Sequence, residues 1–325
     1  MLTEEQREQF FQVGYVVVPH IYTQEEMEPL RSELSEIIHS TAARLHAEGK
    51  ISDTHAEEGF YTRLTRLMDD HPELTWDYLR AIEGKGGGGH TGEAMFDLLT
   101  HKGLLDIMAQ LVGEEIVASS VYRIRPKVPG LERGAVPWHQ DSGYFASHCD
   151  KEMIVTCWIP LVDATLENGC LYVIPKTHEN GVFAHKSRGP SGYLIIPDAD
   201  LPLPEAEAIP VPVPAGGALL LTNLTPHCSY LNTTDTIRWS LDLRYQGRGA
   251  PTNAFQTPGE FDLNAPPTEI ACYPPEGDFV VRSRRDPASV HTYRQYVERR
   301  AMYDKVSLPV PGRSWEPYQP LVEAK

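Results

Sequence analysis

Hydrophobic residues in the first third of the chain recur at helical spacing, whereas after Gly113 they fall in short alternating or continuous runs. Two capping-box patterns, Thr3 with Gln6 and Thr23 with Glu26, each open an amphipathic stretch. The spacing predicts helices over residues 3–13, 23–47, 72–82 and 92–111, with a short strand over 16–18.

The remaining pattern is β-rich, with Pro, Gly and Asn between the runs. It predicts strands over residues 116–125, 137–140, 153–161, 170–174, 193–196, 209–213, 218–222, 229–231 and 238–246. Many short strands at this spacing are typical of a jelly roll. Such a barrel brings ligands from distant sequence positions to one open end.

We therefore expect a mainly β fold with flanking helices around a double-stranded β-helix, the cupin-like form of the jelly roll. The length of 325 residues permits a single domain over 1–325. Within it, 1–112 is predicted to be mainly helical and 113–250 to form the jelly-roll core. Residues 251–325 form a C-terminal extension with one helix over 287–303 and an extended Pro-rich tail.

Charge and composition exclude several classes of protein. A formal net charge of -16 argues against nucleic-acid binding, which needs clustered Lys and Arg. The one basic cluster, near the C-terminal helix, is interpreted as a solvated or interface face, although it leaves an anionic substrate open. No apolar run of membrane-spanning length and no signal peptide is found, so a cytoplasmic monomer or homodimer without membrane partners is expected. The five cysteines are interpreted as buried thiols.

The most informative motif is His139-Gln140-Asp141, followed much later by His227. Side chains at i and i+2 of an extended strand share a face, so His139 and Asp141 converge while Gln140 points away. Two histidines and one carboxylate leave open positions on a metal, the arrangement that non-heme Fe(II) oxygenases use. A structural zinc site is disfavoured because the chain contains no Cys-x-x-Cys pair.

A His-x-Asp pair is common by chance, but here it stands within a series of further motifs. These are Phe11–Pro19, Val136–Tyr144, Ile154–Ala164, Asn168–His178, Pro226–Ser229, Asn232, Arg238 and Arg244–Tyr245. In this order they resemble the phytanoyl-CoA dioxygenase (PhyH) family of Fe(II)/2-oxoglutarate-dependent oxygenases. The resemblance extends from about residue 8 to about residue 246.

The resemblance implies that His139, Asp141 and His227 are the metal ligands and the catalytic centre. It implies Fe(II) as cofactor, with 2-oxoglutarate and O2 as co-substrates. The expected reaction is hydroxylation of an unactivated C–H bond of a small organic metabolite, with release of succinate and CO2. Asp141 occupies the ligand position that related halogenases leave to chloride, which favours hydroxylation. Desaturation or cyclisation would use the same ligands.

Arg238 is expected to bind the far carboxylate of 2-oxoglutarate as a bidentate fork. It follows His227 by eleven residues, where the family's co-substrate arginine lies. Arg244 is the rival, because equal strand parity would place both on one face. The hydroxyls of Ser229 and Thr156 match family positions that help hold the co-substrate, and each is also plausible as an ordinary strand residue. Lys127 matches a family position that points inward.

Substrate contacts are assigned to Gln140, Tyr144 and Trp158, which flank the metal motif; the two aromatic residues are equally plausible as core. A coenzyme A thioester finds only weak support, because the basic residues near the motif are few: Arg123, Arg125, Lys127 and Arg133.

Other conspicuous residues are given structural interpretations. His178 is expected to be a hydrogen-bonding group in a turn, and His148 and His185 are expected to face solvent. The run Gly84–Gly89 is not a phosphate-binding loop, because its Lys is followed by Gly; it is interpreted as a mobile loop that could cover the site.

Two alternatives from other classes stay open. A cupin-like metal-dependent hydrolase or isomerase could use the same three ligands on another divalent ion, although Arg238 and the family segments argue against it. A non-catalytic jelly-roll binding protein is the second alternative, and the intact triad and arginine argue against that.

Overall fold

The computed structural model describes the chain except for residues 84–89, 120–121, 146, 188, 190–191, 203–206, 251–277, 306–314 and 320–325. The loop over Gly84–Gly89, Cys272 and most of the Pro-rich tail lie outside the described residues, and so does the side chain of His148. The four described cysteines are buried free thiols, as expected. Among the described helices, none is long and apolar enough to cross a membrane.

Two antiparallel sheets form the centre of the molecule, with strands numbered in chain order. The larger sheet has the order β1 (Tyr15–Val18), β8 (Ala218–Thr222), β5 (Ile154–Pro160), β10 (Arg238–Gly247), β2 (Ile116–Ala118) and β11 (Phe279–Arg282), and β3 (Arg123–Lys127) also pairs with β10. The smaller sheet has the order β4 (Val136–His139), β9 (His227–Ser229), β6 (Leu171–Val173) and β7 (Ile209–Val211).

Helices cover the outer face of the larger sheet. They are α1 (Glu4–Val13), α2 (Gln24–Ala47), α3 (Arg63–Asp70), α4 (Thr75–Glu83), α5 (Glu93–Leu99), α6 (Lys102–Val112) and α7 (Tyr293–Lys305). Their apolar faces share one core cluster with the outward side chains of the sheet. Phe60, from the turn before α3, stacks on Trp239 of β10 with ring centroids 4.9 Å apart. This cluster contains most of the buried apolar residues of the described chain, so it anchors the sheet to the helices.

The strand that organises the site is β10, because its two faces differ completely in chemistry. Its alternate residues Trp239, Leu241, Leu243 and Tyr245 belong to the core under the helices. The intervening residues, Arg238, Ser240, Asp242 and Arg244, therefore all point to the opposite face, toward the smaller sheet. A second apolar cluster joins residues of β5 and β8 to residues of β6 and β7, which shows that the two sheets face each other.

Most predicted elements are confirmed, and both capping boxes form as expected at Thr3 and Thr23. The predicted helix over 92–111 is wrong in one respect, because it is two helices. The Thr100 hydroxyl donates a hydrogen bond to the Phe96 carbonyl at 2.8 Å, at the end of α5. His101 has non-helical backbone angles and is the N-cap of α6. The predicted strand over 116–125 likewise divides into β2 and β3.

Three further differences concern short elements. No strand forms over 193–196, where Ile195 makes only an isolated bridge. The segment is short because it lies between Gly192, whose φ is +81°, and Pro197. The strand predicted over 229–231 lies earlier, at His227–Ser229. Helix α3 and strand β11 were not predicted, since the helix has only 8 residues and the strand only 4. With β1 and β11, the larger sheet also takes strands from outside residues 113–250.

Candidate active site

The three predicted metal ligands meet between the two sheets. His139 ends β4 and pairs directly with His227 of β9, while Asp141 begins a single 3-10 turn, Asp141–Tyr144, just after β4. One ligand atom from each residue lies within 4.8 Å of those of the other two, and all three residues are buried. The structure thus brings together two local ligands and one from more than eighty residues away in the sequence.

Both histidines are oriented by backbone carbonyls. Nδ1 of His139 lies 2.9 Å from the Pro137 carbonyl oxygen, and Nδ1 of His227 lies 3.0 Å from that of Thr225. A carbonyl only accepts, so each Nδ1 carries the proton and each Nε2 keeps its lone pair for a metal. Burial, together with the neighbouring His227, lowers the pKa of His139 to about 3, which keeps this ring neutral at physiological pH.

Asp141 is held by two partners on β10 and β5. Arg244 donates from its terminal nitrogen to Oδ1 at 2.7 Å and from Nε to Oδ2 at 3.3 Å, and the Thr156 hydroxyl donates to Oδ2. Burial opposes ionisation of this carboxyl, but Arg244 and the two histidines outweigh it and hold the pKa of Asp141 well below its usual range. The carboxylate is therefore ionised and fixed in orientation.

The structure gives Thr156 a contact that the motifs did not indicate. Its hydroxyl contacts the carboxylate of Asp141, and Thr156 also lines the pocket that contains Arg238. The register explains the contact with Asp141: Thr156 pairs with Arg244 across β5 and β10, six residues along the strand from Arg238. We therefore assign to Thr156 the orientation of Asp141.

Arg238 differs from the other arginines of this face in having no acidic partner. It is 2% exposed, its Nε has no hydrogen-bond partner, and one terminal nitrogen donates to Ser240 Oγ at 2.5 Å. Its guanidinium lies over the Trp158 ring, 4.9 Å from the centroid. Within the described part of the chain, no carboxylate lies in salt-bridge range of Arg238, whereas Arg244 and Arg125 are each paired with an aspartate. Burial lowers the pKa of Arg238 to about 9, with Arg125 adding to the effect.

Lys127 and Ser229, two other residues predicted to hold the co-substrate, line the same pocket as Arg238. Lys127 is the direct cross-strand partner of Arg238, and its Nζ donates to Ser229 Oγ at 2.9 Å and to the Tyr230 carbonyl. Burial, and then the charges of Arg238 and Arg125, lower the pKa of Lys127 to about 6. Three polar side chains without an acid among them thus converge at one end of the site.

A pocket opens onto these groups. It encloses about 740 Å³ of empty space including its open mouth, and its walls contain His139, His227, Arg238, Lys127 and Trp158. The predicted substrate residue Trp158 is therefore a pocket residue. Its ring also forms part of the apolar cluster between the sheets.

The other two predicted substrate residues are placed differently. Tyr144 packs edge-on against the His139 ring with centroids 5.8 Å apart, and its hydroxyl accepts from the Leu194 amide at 3.0 Å. Gln140 is fully buried, and its amide group bonds to three backbone groups, of Gly181, Phe183 and Leu224. These hydrogen bonds of the Gln140 side chain are all with the backbone of neighbouring loops, and Gln140 is not among the described residues that line the pocket.

Asp242 is a pocket residue that the motifs do not reveal. It accepts from Nε and a terminal nitrogen of Arg125, both at 3.2 Å, and Arg125 also reaches the Tyr193 hydroxyl at 3.4 Å. Burial opposes ionisation of Asp242, but Arg244 and Arg125 hold its pKa below the ordinary value. The signal for this pair is the strict alternation of polar residues along β3 and β10.

Of the two other histidines discussed above whose side chains the structure describes, His178 has the predicted structural role and His185 does not face solvent as predicted. His178 is confirmed as structural: Nε2 lies 3.0 Å from the Phe11 carbonyl, and the ring packs under Gly14, where a Cβ atom would come within 2.7 Å of it. The prediction that His185 faces solvent is wrong, since it is 1% exposed and its Nε2 accepts from the Gln140 amide at 3.0 Å. It is buried by a segment of the C-terminal tail, which the local sequence does not indicate.

The donor set fits ferrous iron: two imidazole nitrogens and one carboxylate converge, and both imidazoles line the pocket. The Arg238 guanidinium, which has no acidic partner among the described residues, lines the same pocket. The fold and site together define an iron- and 2-oxoglutarate-dependent oxygenase. The chain belongs to the phytanoyl-CoA dioxygenase (PhyH) family, whose model matches residues 10–240.

Sequence comparison with known relatives is consistent with this family assignment. The chain is 27% identical over 259 residues to phytanoyl-CoA dioxygenase domain-containing protein 1 of Danio rerio, covering 73% of this chain and 88% of that protein. It is 26% identical over 247 residues to methylphosphonate hydroxylase of Gimesia maris, covering 75% and 80%. In fold it is similar to the epimerase SnoN in complex with Fe3+, alpha ketoglutarate and nogalamycin RO, with a TM-score of 0.53, 19% identity and coverage of 86% and 98%.

Proposed function

We propose that this enzyme hydroxylates an unactivated C–H bond of a small organic metabolite. In the overall reaction, 2-oxoglutarate, O2 and the substrate give succinate, CO2 and an alcohol, with one oxygen atom entering succinate and the other the alcohol. Bound iron would supply the activation of O2 that couples these two oxidations. His139, Asp141 and His227 would hold the iron.

The observation that carries this proposal is the unpaired Arg238 guanidinium. A buried cation without a counter-charge is costly, so it is retained where a ligand supplies the missing anion. A carboxylate fits its fork of donors, and Arg238 and the metal ligands line the same pocket. This combination suits 2-oxoglutarate, whose oxo-acid end would face the metal while its far carboxylate meets Arg238, Lys127 and Ser229.

The other residues of the site restrict how these groups move. Arg244 and Thr156 hold the Asp141 carboxylate in one orientation, and the carbonyls of Pro137 and Thr225 hold the two imidazoles. Ligands held in this way lose little freedom when they bind a metal. We further propose that the two facing sheets form a double-stranded β-helix, which is supported by their antiparallel order and by the apolar cluster between them.

The walls of the pocket favour a compact polar substrate. Near the metal side, Arg125 and Asp242 form an ion pair that faces the pocket, and at its mouth Arg133 lies 3.7 Å from Glu83. Two of the basic residues considered for a coenzyme A thioester, Arg125 and Lys127, point into the pocket, where Arg125 is hydrogen-bonded to Asp242 and Lys127 to Ser229. The similarity to a methylphosphonate hydroxylase agrees with a small substrate.

The proposed reaction is tested by following succinate. We expect protein prepared without oxygen to bind Fe(II) and 2-oxoglutarate, and to form succinate slowly when O2 is admitted. A panel of small carboxylates, phosphonates and polar alcohols should then be screened for compounds that increase the rate and yield a hydroxylated product. If neither Fe(II) nor 2-oxoglutarate bound, the oxygenase function would be rejected.

Co-substrate binding should weaken as pH rises above about 6, because Lys127 must gain a proton. Without a carboxylate its pKa is about 6, so it is mostly neutral at pH 7. A carboxylate beside it favours the charged form, so binding takes up a proton between the free and the bound pKa. In that window affinity for 2-oxoglutarate falls with pH by at most about tenfold per unit for one proton.

Calorimetry on Mn²⁺-loaded protein in two buffers of different ionisation enthalpy would measure this proton uptake. Lys127→Met is the matched variant, and we expect it to bind 2-oxoglutarate more weakly at low pH and with a flatter pH profile. Proton uptake that is equal in wild type and Lys127→Met would assign the effect to another group.

A further inference from the structure

A short piece of the C-terminal tail, residues 315–319, packs against the back of the metal-binding turn. It runs beside residues 185–187, where the Ser187 amide donates to the Glu316 carbonyl at 2.8 Å and the Tyr318 amide donates to the Ser187 carbonyl at 2.7 Å. The Ser187 hydroxyl also donates to the Trp315 carbonyl at 2.9 Å. Three hydrogen bonds through one residue fix this piece, which we call the Trp315 segment, in a single register.

The Trp315 side chain reaches the turn that carries a metal ligand. Its indole Nε1 donates to the Gly143 carbonyl at 2.7 Å. Gly143 lies two residues after Asp141, inside the same 3-10 turn. The turn is also fixed at Ser142, whose amide donates to the Asn223 carbonyl at 3.0 Å. The indole and the Asn223 carbonyl therefore fix two successive residues of the turn.

His185 lies between the indole and the metal motif. Its ring is 5.3 Å from the Trp315 ring, and its Nε2 accepts from the Gln140 amide, between the two local ligands. A Cβ atom on Gly143 would lie 2.6 Å from the same Nε2, so the turn and the imidazole are in close contact. Trp315, His185 and the segment 140–143 thus each contact the other two.

We propose that Trp315 is a positioning residue for the metal centre, which rests on the proposed function of that centre. By fixing the Asp141 turn from behind, the Trp315 segment reduces the freedom that Asp141 would lose on binding a metal. The family match ends at residue 240, so this support comes from a part of the chain outside it. Coupling is reciprocal: metal binding must stabilise the docked Trp315 segment by the same factor.

The test is the affinity of the metal-free protein for Mn²⁺ without 2-oxoglutarate, measured from the signal of free Mn²⁺ in electron paramagnetic resonance. We expect Trp315→Ala to weaken binding on the order of 10-fold, the lower end of the range for partners of metal ligands. Trp315→Phe, which keeps a ring but loses the donor, should be intermediate. Glu316→Gln is the matched control, since it removes only the exposed ion pair with Lys186 and should change nothing.

Hydrogen exchange gives a second readout that a purely structural role would not move. The amides of Ser187 and Tyr318 should exchange more slowly when wild-type protein is loaded with Mn²⁺. The factor by which exchange slows should equal the factor by which Trp315→Ala weakens Mn²⁺ binding. Suppose that wild type binds Mn²⁺ tightly, that Trp315→Ala binds it with the same affinity, and that exchange of the Ser187 and Tyr318 amides does not change on loading. That result would overturn the role of Trp315 alone. Failure of wild type to bind Mn²⁺ would overturn both this role and the proposed function.

Discussion

Replacing His139 with alanine should abolish iron-dependent succinate formation while the protein stays folded. The imidazole supplies one of three ligand atoms, so the metal affinity should fall by more than the roughly 10- to 100-fold that follows loss of a partner of a ligand. The ring is neutral, and beyond the metal its polar contact is with the Pro137 carbonyl. Its removal therefore leaves no buried charge behind, and thermal unfolding of the metal-free protein should change little.

Asp141→Ala should abolish turnover equally but reduce the free energy of unfolding much more. Its side chain and that of Arg244 are only 2% and 11% exposed, and breaking a buried ion pair costs roughly 3–5 kcal/mol. The double variant Asp141→Ala/Arg244→Met should recover part of that stability without recovering turnover. Iron content after anaerobic loading, the rate of succinate formation and denaturant unfolding would measure these effects. An unchanged rate in either single variant would remove that residue from the site.

Arg238→Met should produce an unusual pair of effects: weaker co-substrate binding and a metal-free protein that is at least as stable as wild type. Removing one partner of a buried charge pair typically costs 2–5 kcal/mol, so we expect the Kd of 2-oxoglutarate to rise on the order of 100-fold or more. In the absence of 2-oxoglutarate, however, Arg238 has no acidic partner among the described residues. Replacing it with an apolar side chain of similar length therefore removes an uncompensated buried charge.

Arg244→Met is the matched control, and its effects should be the reverse. It leaves Asp141 without its cation, so the metal-free protein should lose stability, while the Kd of 2-oxoglutarate on metal-loaded protein should change far less than in Arg238→Met. Thermal unfolding and calorimetric titration of both variants distinguish the two arginines. If Arg244→Met lost 2-oxoglutarate binding and Arg238→Met kept it, the two assignments would have to be exchanged.

Two of the three candidate metal ligands could be predicted from the sequence because their relation is local. Strand parity makes His139 and Asp141 converge, and the resemblance to a family supplies His227. The same parity predicted that Arg238 and Arg244 share a face, and it is confirmed by the pairing of β10 with β5 and β3. Parity alone left open which arginine has a free guanidinium, because that depends on the aspartates opposite each one.

The contacts that the sequence did not indicate follow a different pattern: each concerns a residue whose surroundings come from a distant part of the chain. Thr156 pairs with Arg244 through sheet register, and Gln140 bonds to loops more than forty residues away. His185 is covered by Trp315, some 130 residues later. Neither periodicity nor a motif contains such information.

By itself, the sequence determined the mainly β architecture with its capped N-terminal helices, the three candidate metal ligands, and the two arginines that could bind a carboxylate. These follow from spacing, which acts through the fixed periods of strands and helices, and from the resemblance to a family. Only the tertiary structure decided which of the two arginines has no acidic partner among the described residues, which groups orient Asp141, and that residues 315–319 pack against the turn that contains Asp141. The physical reason is that charge pairing, burial and packing depend on neighbours across the two sheets, and those neighbours are set by how the whole chain folds.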